Sequence, residues 1–479
     1  MKSLEVDVAV IGAGTAGLTA WRAARSHGQR VLLIEGGVYG TTCARVGCMP
    51  SKLLIAAAEA AHTAAGAARF GVHAGPLRID GRAVMARVQA ERDRFVGFVL
   101  DGVEQIPPAE RLRGQARFLD AQRLQVDAHT VVQAGRVVVA TGSSPVLPEQ
   151  FKAIGALAQT SDDIFEWPDL PQSVAVIGTG IIGLELGQAL HRLGVRVALF
   201  GRRRLAQLSD PVVQEVALRC LGAELDLRLN AEVIEARRDG AEVVLSSRDA
   251  DGAVRSERYD VVLCATGRAP NVGGLGLERA GIELDRRGVP LFDPATMRCG
   301  ASTIFIAGDA SSERPLLHEA ANQGRIAGDN AGAYPHSRPG RRHEPLAIVF
   351  SDPQIASVGS SWQSLKESRA EQFAVGQVSF ENQGRSRVML QNQGVLRLYG
   401  EYGSDRFLGA EMIAPRAEHL AHLLAWACQS RMTVAQMRGM PFYHPVIEEG
   451  VRTALRDLQE QLAHGLPAIE HCADCTPGM

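Results

Sequence analysis

The fold is decided by the segment LEVDVAVIGAGTAG at residues 4–17. Its first part is apolar and rich in β-branched residues, and it ends in a turn that contains Gly12, Gly14 and Gly17. This order predicts a buried strand, a tight turn and a helix whose N-terminus can carry a phosphate charge. Gly12 permits the turn, Gly14 lets a pyrophosphate approach the backbone, and Gly17 lets helix and strand pack closely. The alternative is a glycine-rich turn in an α/β sheet that binds nothing.

A second strand, predicted at residues 30–34, ends at Glu35. Glu35 lies 23 positions beyond Gly12, about where a carboxylate accepts the ribose hydroxyls of a dinucleotide. A lone glycine pattern is weak evidence, but here the strand, glycines, helix, second strand and acid all occur in order. Together they predict a dinucleotide-binding unit.

The same pattern occurs again from residue 173, where an apolar strand runs into Gly178, Gly180 and Gly183. The chain is therefore expected to carry two dinucleotide sites of one architecture. The second strand of this unit ends in Gly201 instead of an acid, and the basic run that follows consists of Arg202, Arg203 and Arg204. Guanidinium groups bind a 2′-phosphate by paired, charge-assisted hydrogen bonds. The run predicts NADP(H) in preference to NAD(H), with a solvated basic turn as the alternative.

Two cysteines stand five positions apart in the segment TTCARVGCMPSK, residues 41–52. A disulfide between Cys43 and Cys48 would close a loop too short to add much stability through chain entropy. A zinc site would need a second ligand pair, and no other close cysteine pair lies in the first four hundred residues. A reducible pair beside a flavin explains the placement best. Buried thiols and half of a metal site are the alternatives.

Composition limits the class of protein. The 479 residues allow about three domains, and 46% hydrophobic residues with 50 glycines fit an α/β protein. A net charge of −2 gives no reason to expect nucleic acid or an anionic membrane as partner. The first residues lack the features of a signal peptide, and eight cysteines do not form a secreted disulfide scaffold. We expect a cytoplasmic protein without a metal centre.

The predicted domain boundaries rest on the positions at which apolar strands end. Apolar strands finish in Ala-Thr-Gly at residues 140–142 and again at 265–267, and prolines cluster around residue 150. A later strand ends at Asp309, which can hold a ribitol hydroxyl. We predict an α/β fold with two Rossmann-like dinucleotide-binding domains, residues 1–149 with 268–343 and residues 150–267, and a C-terminal α+β domain at residues 344–479.

These features resemble the FAD-dependent pyridine nucleotide–disulfide oxidoreductases, which include dihydrolipoamide dehydrogenase, glutathione reductase and mercuric reductase. The likeness extends over roughly residues 4–460, and its most specific parts are the cysteine segment, residues 178–185, the turn at Asp309 and His444-Pro445. It implies that residues 1–149 with 268–343 bind FAD, that residues 150–267 bind NAD(P)H, and that residues 344–479 form a dimerisation domain at the subunit interface. It also implies a redox disulfide between Cys43 and Cys48. Cys43 would attack the substrate, and Cys48 would be the charge-transfer thiol against the flavin.

The resemblance also assigns further residues of the site. Lys52 and Glu185 look like the ion pair placed near the reactive nitrogen of the flavin. Other cofactor contacts are expected at Thr42, Gly114, Ala116, Thr141, Gly142, Gly267, Asp309 and His318.

A histidine motif near the C-terminus completes the likeness. His444 and Glu449 stand as in the family motif His-Pro-Thr-x-x-Glu, with Val446 in place of the threonine. His444 would be the acid/base and Glu449 would orient it, because exchanging a dithiol for a disulfide requires proton transfer at sulfur. In the family the second subunit supplies this loop, so the resemblance implies an obligate homodimer.

A few positions in the sequence limit the range of candidate substrates. Mercuric reductases have an aromatic residue where this chain has His444, which favours a small-molecule or protein-bound disulfide or dithiol. Residues 182–187 and 314–319 look most like dihydrolipoamide dehydrogenase, which normally uses NAD, whereas Arg202 favours NADPH. We therefore expect a dihydrolipoamide dehydrogenase-like enzyme whose nicotinamide is preferably NADP(H).

The end of the chain holds a second close cysteine pair, Cys472 and Cys475, beside His471. These residues could shuttle thiols or a metal ion to the first pair. The alternative function is therefore an NADPH-dependent reductase of another disulfide or of a metal ion. A tail with idle thiols is the simpler interpretation.

Overall fold

The computed structural model describes residues 2–202, 204–206, 208–369 and 372–465. Arg203, His471, Cys472 and Cys475 lie outside the described residues, so the predictions that concern them stay predictions. Within the described residues the chain forms two compact units. One consists of Met1–Phe200 with Asn230–His343, and the other of Gly201–Leu229 with Glu344–Met479. The predicted domain boundaries also stay predictions.

Both units contain strands and helices. In chain order the strands are β1 Lys2–Ile11, β2 Val31–Glu35, β3 Arg111–Arg113, β4 Ala116–Phe118, β5 Arg123–Val126, β6 Thr130–Val139, β7 Ser143–Pro145, β8 Ala158–Thr160, β9 Ser173–Ile177, β10 Arg196–Gly201, β11 Asp226–Leu229, β12 Glu232–Asp239, β13 Glu242–Arg248, β14 Val254–Tyr259, β15 Val261–Cys264, β16 Arg268–Pro270, β17 Ile304–Ile306, β18 Leu346–Val349, β19 Gln354–Gly359, β20 Phe373–Ser379, β21 Val395–Glu401 and β22 Phe407–Ala414. The helices are α1 Thr15–Ser26, α2 Thr42–Val46, α3 Cys48–Gly66, α4 Gly81–Glu104, α5 Glu149–Lys152, α6 Ile181–Arg192, α7 Pro211–Gly222, α8 Leu317–Ala333, α9 Trp362–Arg369, α10 Gly384–Val388, α11 Ala417–Gln429, α12 Val434–Arg438 and α13 Glu449–Ala463.

The first unit contains two parallel sheets that carry the glycine turns. One has the order β3-β2-β1-β6, with β17 also paired to β6 and the hairpin strands β5 and β4 at the other edge. The other has the order β10-β9-β15-β8, with parallel pairing throughout. The central strands are buried on both faces, which is why they consist almost entirely of Val, Ala, Leu and Ile. Asp80 is the N-cap of helix α4, and its side chain accepts from the Ala83 N–H.

The second unit is built on an antiparallel sheet of order β18-β19-β22-β21-β20. Its buried residues pack with the apolar faces of α11 and α13 in one core. The two parallel sheets and this antiparallel sheet with its helices confirm the predicted α/β fold class. None of the helices in the described parts of the chain is long and apolar enough to span a bilayer.

Two buried carboxylates hold the start of α7 in the second unit. Asp210 is fully buried and accepts from Arg397 Nε at 2.8 Å and from the Tyr399 hydroxyl at 3.0 Å. Glu411 is also buried and accepts from the backbone N–H groups of Ser209 and Asp210 at 2.7 and 2.9 Å. Each buried charge is thus compensated by several donors, as burial requires.

Candidate functional site

The two cysteines lie at the junction of α2 and α3. Cys43 is in α2, and Cys48 is the first residue of α3. Pro50 lies in the first turn of α3, where its missing N–H needs no partner.

The cysteine side chains are free thiols that are hydrogen-bonded to each other. This bond raises the pKa of Cys43, and burial and the nearby Cys48 charge raise it further. The same bond lowers the pKa of Cys48 to about 7, helped by the positive charge of Lys52 and opposed by partial desolvation of this otherwise exposed side chain. At neutral pH the pair therefore holds one proton on Cys43 and a substantial fraction of thiolate on Cys48. A thiolate at a helix N-terminus is also favoured by the helix dipole.

Lys52 and Glu185 form an ion pair beside the thiols, as the resemblance implies. Lys52 Nζ lies 2.7 Å from Glu185 Oε2, and the Glu185 side chain is only 5% exposed, while that of Lys52 is 33% exposed. The two charges act on Cys48 with opposite signs, since Lys52 lowers its pKa and Glu185 raises it. The balance of these two charges therefore helps to set the pKa of Cys48.

Thr41 introduces a feature that the sequence did not reveal. Its backbone has φ 58° and ψ 150°, a conformation normally reserved for glycine, and its Oγ1 caps α2 by accepting from the Ala44 N–H at 3.3 Å. Such a conformation costs about 1–3 kcal/mol and persists only where the surroundings enforce it. Thr42, a predicted cofactor contact, is the next residue and begins α2.

The two glycine turns have the same geometry. A Cβ on Gly12 would lie 2.3 Å from the Ala140 carbonyl oxygen, and a Cβ on Gly178 would lie 2.3 Å from the Ala265 carbonyl oxygen. The third glycines repeat this relation, because Cβ atoms on Gly17 and Gly183 would lie 1.8 and 1.9 Å from the first glycine's carbonyl oxygen. Only glycine fits these positions.

The middle glycine of each turn, Gly14 or Gly180, has open space where a side chain would lie, unlike the first and third glycines. Among the described residues, no heavy atom lies within 4 Å of a Cβ built on Gly14 or Gly180. Each of these glycines is extended and precedes a helix, α1 or α6, as its N-cap. Open space before a helix N-terminus is what a pyrophosphate needs.

Glu35 ends β2 next to the first turn. Its carboxylate accepts from the Ala13 N–H at 2.7 Å and from the Gly37 N–H at 2.6 Å. The Gly114 N–H donates to the Glu35 carbonyl oxygen at 3.0 Å, and Ala116 follows as the first residue of β4. The structure therefore brings together the residues predicted to contact the adenosine part of FAD.

Thr141 and Gly142 follow β6. The next residue, Ser143, is hydrogen-bonded to Asp309, the predicted contact of the FAD ribitol. Thr141 Oγ1 is buried and has no hydrogen-bond partner among the described residues, so its hydroxyl fits a ligand that would satisfy it. Asp309 follows β17 in a short 3₁₀ turn, and His318 is exposed at the start of α8. With the open glycine turn and the Glu35 carboxylate, this set fits FAD.

Asp309 has partners that the sequence did not predict. Ser143 Oγ donates to Asp309 Oδ2 at 2.7 Å, and Arg268 Nε donates to Ser143 Oγ at 2.9 Å. Each of these two residues directly follows one of the Ala-Thr-Gly strand ends, and Gly267 is the last residue of the second. The repeated strand ends were the signal that could have identified them.

Arg202 directly follows β10 and is exposed. Arg204, two positions on, donates from Nη1 to Gln363 Oε1 at 2.9 Å. Arg204 is exposed as well, so both of these arginines are accessible to a ligand.

His444 and Glu449 are paired as the motif predicts. His444 Nδ1 lies 3.1 Å from both Glu449 carboxylate oxygens, and the histidine side chain is 80% exposed. The hydrogen bond to His444 lowers the pKa of Glu449, so this carboxylate is charged and can orient the imidazole. The Val446 N–H also donates to Glu449 Oε2, at 3.3 Å, so the backbone supports the carboxylate without the usual threonine.

Among the described residues no group of three His, Cys, Asp or Glu side chains is arranged to hold a metal ion.

Two glycine turns of one geometry, a fit for FAD and an asymmetric thiol pair define a flavin-dependent dithiol redox protein. Residues 6–324 match the model of the pyridine nucleotide-disulphide oxidoreductase family, and residues 346–455 match the dimerisation domain of the same family. The chain belongs to this family.

The chain has similar sequence identity to relatives that are named for three different activities. The chain is 33% identical over 478 residues to a mercuric reductase of Shigella flexneri, covering 95% of this chain and 81% of the relative. It is 31% identical to a mycothione reductase of Mycobacterium tuberculosis, covering 95% and 99%. It is 30% identical to a dihydrolipoyl dehydrogenase of Thermus scotoductus, covering 96% and 98%.

Solved structures agree with the fold. The crystal structure of LpdA from Mycobacterium tuberculosis has a TM-score of 0.80 at 27% identity, covering 94% of this chain and 99% of that one. The flavoprotein disulfide reductase RclA from Escherichia coli has a TM-score of 0.78 at 23% identity, covering 95% and 99%. The matches establish a flavoprotein disulfide oxidoreductase.

Proposed function

We propose that the chain is an NADPH-preferring, dihydrolipoamide dehydrogenase-like enzyme that exchanges electrons with a small-molecule or protein-bound disulfide. The observation that carries this proposal is the placement of Cys43 and Cys48, two hydrogen-bonded thiols at the start of α3 beside the Lys52–Glu185 ion pair, with the pKa of Cys48 lowered. A structural thiol pair needs no ion pair beside it. A redox pair needs one sulfur that stays ionised and another that is deprotonated when substrate arrives.

FAD supplies the electron relay between a reduced nicotinamide and the cysteine pair. Cys43, once deprotonated, attacks one sulfur of the substrate disulfide, and the other substrate sulfur leaves and takes a proton. The Cys48 thiolate then attacks the Cys43 sulfur, so that the second substrate thiolate leaves and the Cys43–Cys48 disulfide forms. The substrate gains two electrons from the cysteine pair and two protons, of which Cys43 gives up one and the second substrate thiolate takes the other from solvent. A dihydrolipoyl substrate would undergo the reverse steps.

We assign the proton transfers to His444. The raised pKa of Cys43 means that its thiol needs a base, and the departing substrate sulfur needs an acid. An exposed imidazole held by Glu449 suits both tasks, and its exposure fits a residue that serves the site of a partner subunit. The matched dimerisation domain supports a homodimer, which we propose to be cytoplasmic.

The nicotinamide preference rests on the end of β10. Gly201 places no carboxylate there, and the exposed guanidinium of Arg202 can bind a 2′-phosphate. The dihydrolipoyl dehydrogenase resemblance alone would favour NAD(H), so the preference is a proposal that needs its own measurement.

A metal-ion reductase is the second candidate. It is favoured by the similarity to mercuric reductases and by the sequence of Cys472 and Cys475. His444 favours the disulfide instead, because the resemblance places an aromatic residue at this position in mercuric reductases.

Steady-state rates would separate the candidates. The purified protein is assayed with NADPH and with NADH against lipoamide, glutathione disulfide and Hg(II). We expect turnover of a disulfide with NADPH preferred, and a Cys472→Ser/Cys475→Ser variant that keeps this rate. Turnover of Hg(II) that is lost in the tail variant would support the second candidate, and a wide preference for NADH would refute the role of Arg202.

A further inference from the structure

A continuous chain of hydrogen bonds leads from Asp162 to Asp309 in the first unit. Arg268 pairs with Asp162 Oδ1 through Nη1 at 3.1 Å and donates to the Ser143 carbonyl oxygen through Nη2 at 2.7 Å. Its Nε donates to Ser143 Oγ at 2.9 Å, and Ser143 Oγ donates to Asp309 Oδ2 at 2.7 Å. Ser143 is 9% exposed and the Arg268 side chain 17% exposed.

The chemistry of these groups determines which atom donates and which accepts in each of these hydrogen bonds. A guanidinium has donors and no acceptor, so Ser143 Oγ must accept from Arg268. The single hydroxyl proton of Ser143 is then directed to Asp309 Oδ2. One carboxylate oxygen is thereby occupied, and Oδ1 is left to accept from a ligand hydroxyl.

The backbone makes this arrangement rigid. Ser143 begins β7 and Arg268 begins β16, and these two strands pair antiparallel, with Ser143 opposite Pro270. Three donors of Arg268 are fixed at once, two of them by Ser143. The strand pair therefore holds the serine hydroxyl in one orientation.

We propose that Ser143 and Arg268 are positioning residues that orient the Asp309 carboxylate toward a ribitol hydroxyl of FAD. This inference rests on the proposed function only in taking FAD as the cofactor bound at Asp309. It adds two residues, neither of which touches the cofactor in the proposal, and it predicts that they act through Asp309 alone.

The test measures FAD affinity on apo-protein of the full chain by quenching of flavin fluorescence. We expect Ser143→Ala to raise the Kd for FAD about tenfold, or ~1.4 kcal/mol, because a carboxylate that has lost its donor is no longer held in place. Arg268→Gln should have a similar effect. Ser144→Ala is the matched control, since Ser144 donates to Asn271 Oδ1 and lies outside the chain of bonds; its Kd should equal that of the wild type.

A double-mutant cycle distinguishes positioning from general damage. In an Asp309→Ala background, Ser143→Ala should change the Kd for FAD by less than about twofold, because no carboxylate remains to be oriented. The inference is overturned if Ser143→Ala binds FAD like Ser144→Ala, or if its effect is undiminished without Asp309. If Ser143→Ala fails to fold, Arg268→Gln is used in the same cycle. Wild-type apo-protein that binds no FAD would instead overturn the proposed function.

Discussion

Replacing Glu185 with Gln and Lys52 with Met should move the pKa of Cys48 in opposite directions. Lys52 stabilises the Cys48 thiolate, whereas Glu185 destabilises it. Removing the Glu185 charge removes an effect that raises the Cys48 pKa and should lower this pKa from about 7. Removing the Lys52 charge leaves the buried carboxylate near the thiolate and should raise it.

The magnitude follows from the spacing of the two residues on one helix. Cys48 and Lys52 are four positions apart in α3, so their side chains lie about 6 Å apart. Cys48 is exposed and Lys52 is partly exposed, which calls for an effective dielectric constant of about 40–80. Coulomb's law then gives about 0.7–1.4 kcal/mol, or about half to one pKa unit.

The assay is the pH dependence of alkylation at Cys48 by iodoacetamide, followed by peptide mass spectrometry. Only the thiolate reacts, so the rate should fall as the pH drops through about 7 in the wild type. The midpoint should lie lower in Glu185→Gln and higher in Lys52→Met. Glu278→Gln, which removes an exposed surface carboxylate, is the control and should leave the midpoint unchanged. Midpoints that move in the same direction, or that stay within about 0.2 of the wild type, would refute this account of the ion pair.

Three further outcomes are expected. In the apo-protein, Gly14→Ala should keep the wild-type Tm, whereas Gly12→Ala should lower it because its Cβ would lie too close to a carbonyl oxygen. Gly14→Ala should weaken FAD binding, and equal losses of apo-protein Tm in the two variants would contradict this contrast. Arg397→Ala should lower the free energy of unfolding by about 3 kcal/mol in urea titrations, because it leaves the buried Asp210 charge without its cation; a loss below about 1 kcal/mol would mean that the Tyr399 and backbone donors suffice. His444→Gln should reduce disulfide turnover about 10²-fold or more while Cys48 alkylation keeps its pH midpoint, and a wild-type turnover rate would exclude His444 as the acid/base.

Residues with a strict steric or chemical requirement could be predicted from the sequence. The glycine turns were predictable because Gly12 and Gly178 face carbonyl oxygens at distances that no side chain permits. The Asp80 cap was predictable because a short acceptor before an apolar helix has few other uses. The pairing of His444 with Glu449 followed from the family motif, since both residues lie within one short segment.

Features that depend on distant parts of the chain could not be predicted. Ser143 and Arg268 are separated by 125 positions and meet only because β7 pairs with β16. Asp210 and Arg397 are 187 positions apart, and nothing local marks them as a pair. The backbone of Thr41 was also unpredictable, because a threonine is the wrong residue for a positive φ and only the surrounding structure enforces it.

The near-identity of the two glycine turns bears on coenzyme engineering. Since Gly12 and Gly178 make equivalent close approaches, neither turn can distinguish one coenzyme from another. We expect the adenosine ends of the coenzymes to be distinguished at the ends of the second strands, where Glu35 closes β2 and Gly201 closes β10. A programme to exchange coenzymes in this scaffold should therefore vary those terminal positions and leave both turns intact.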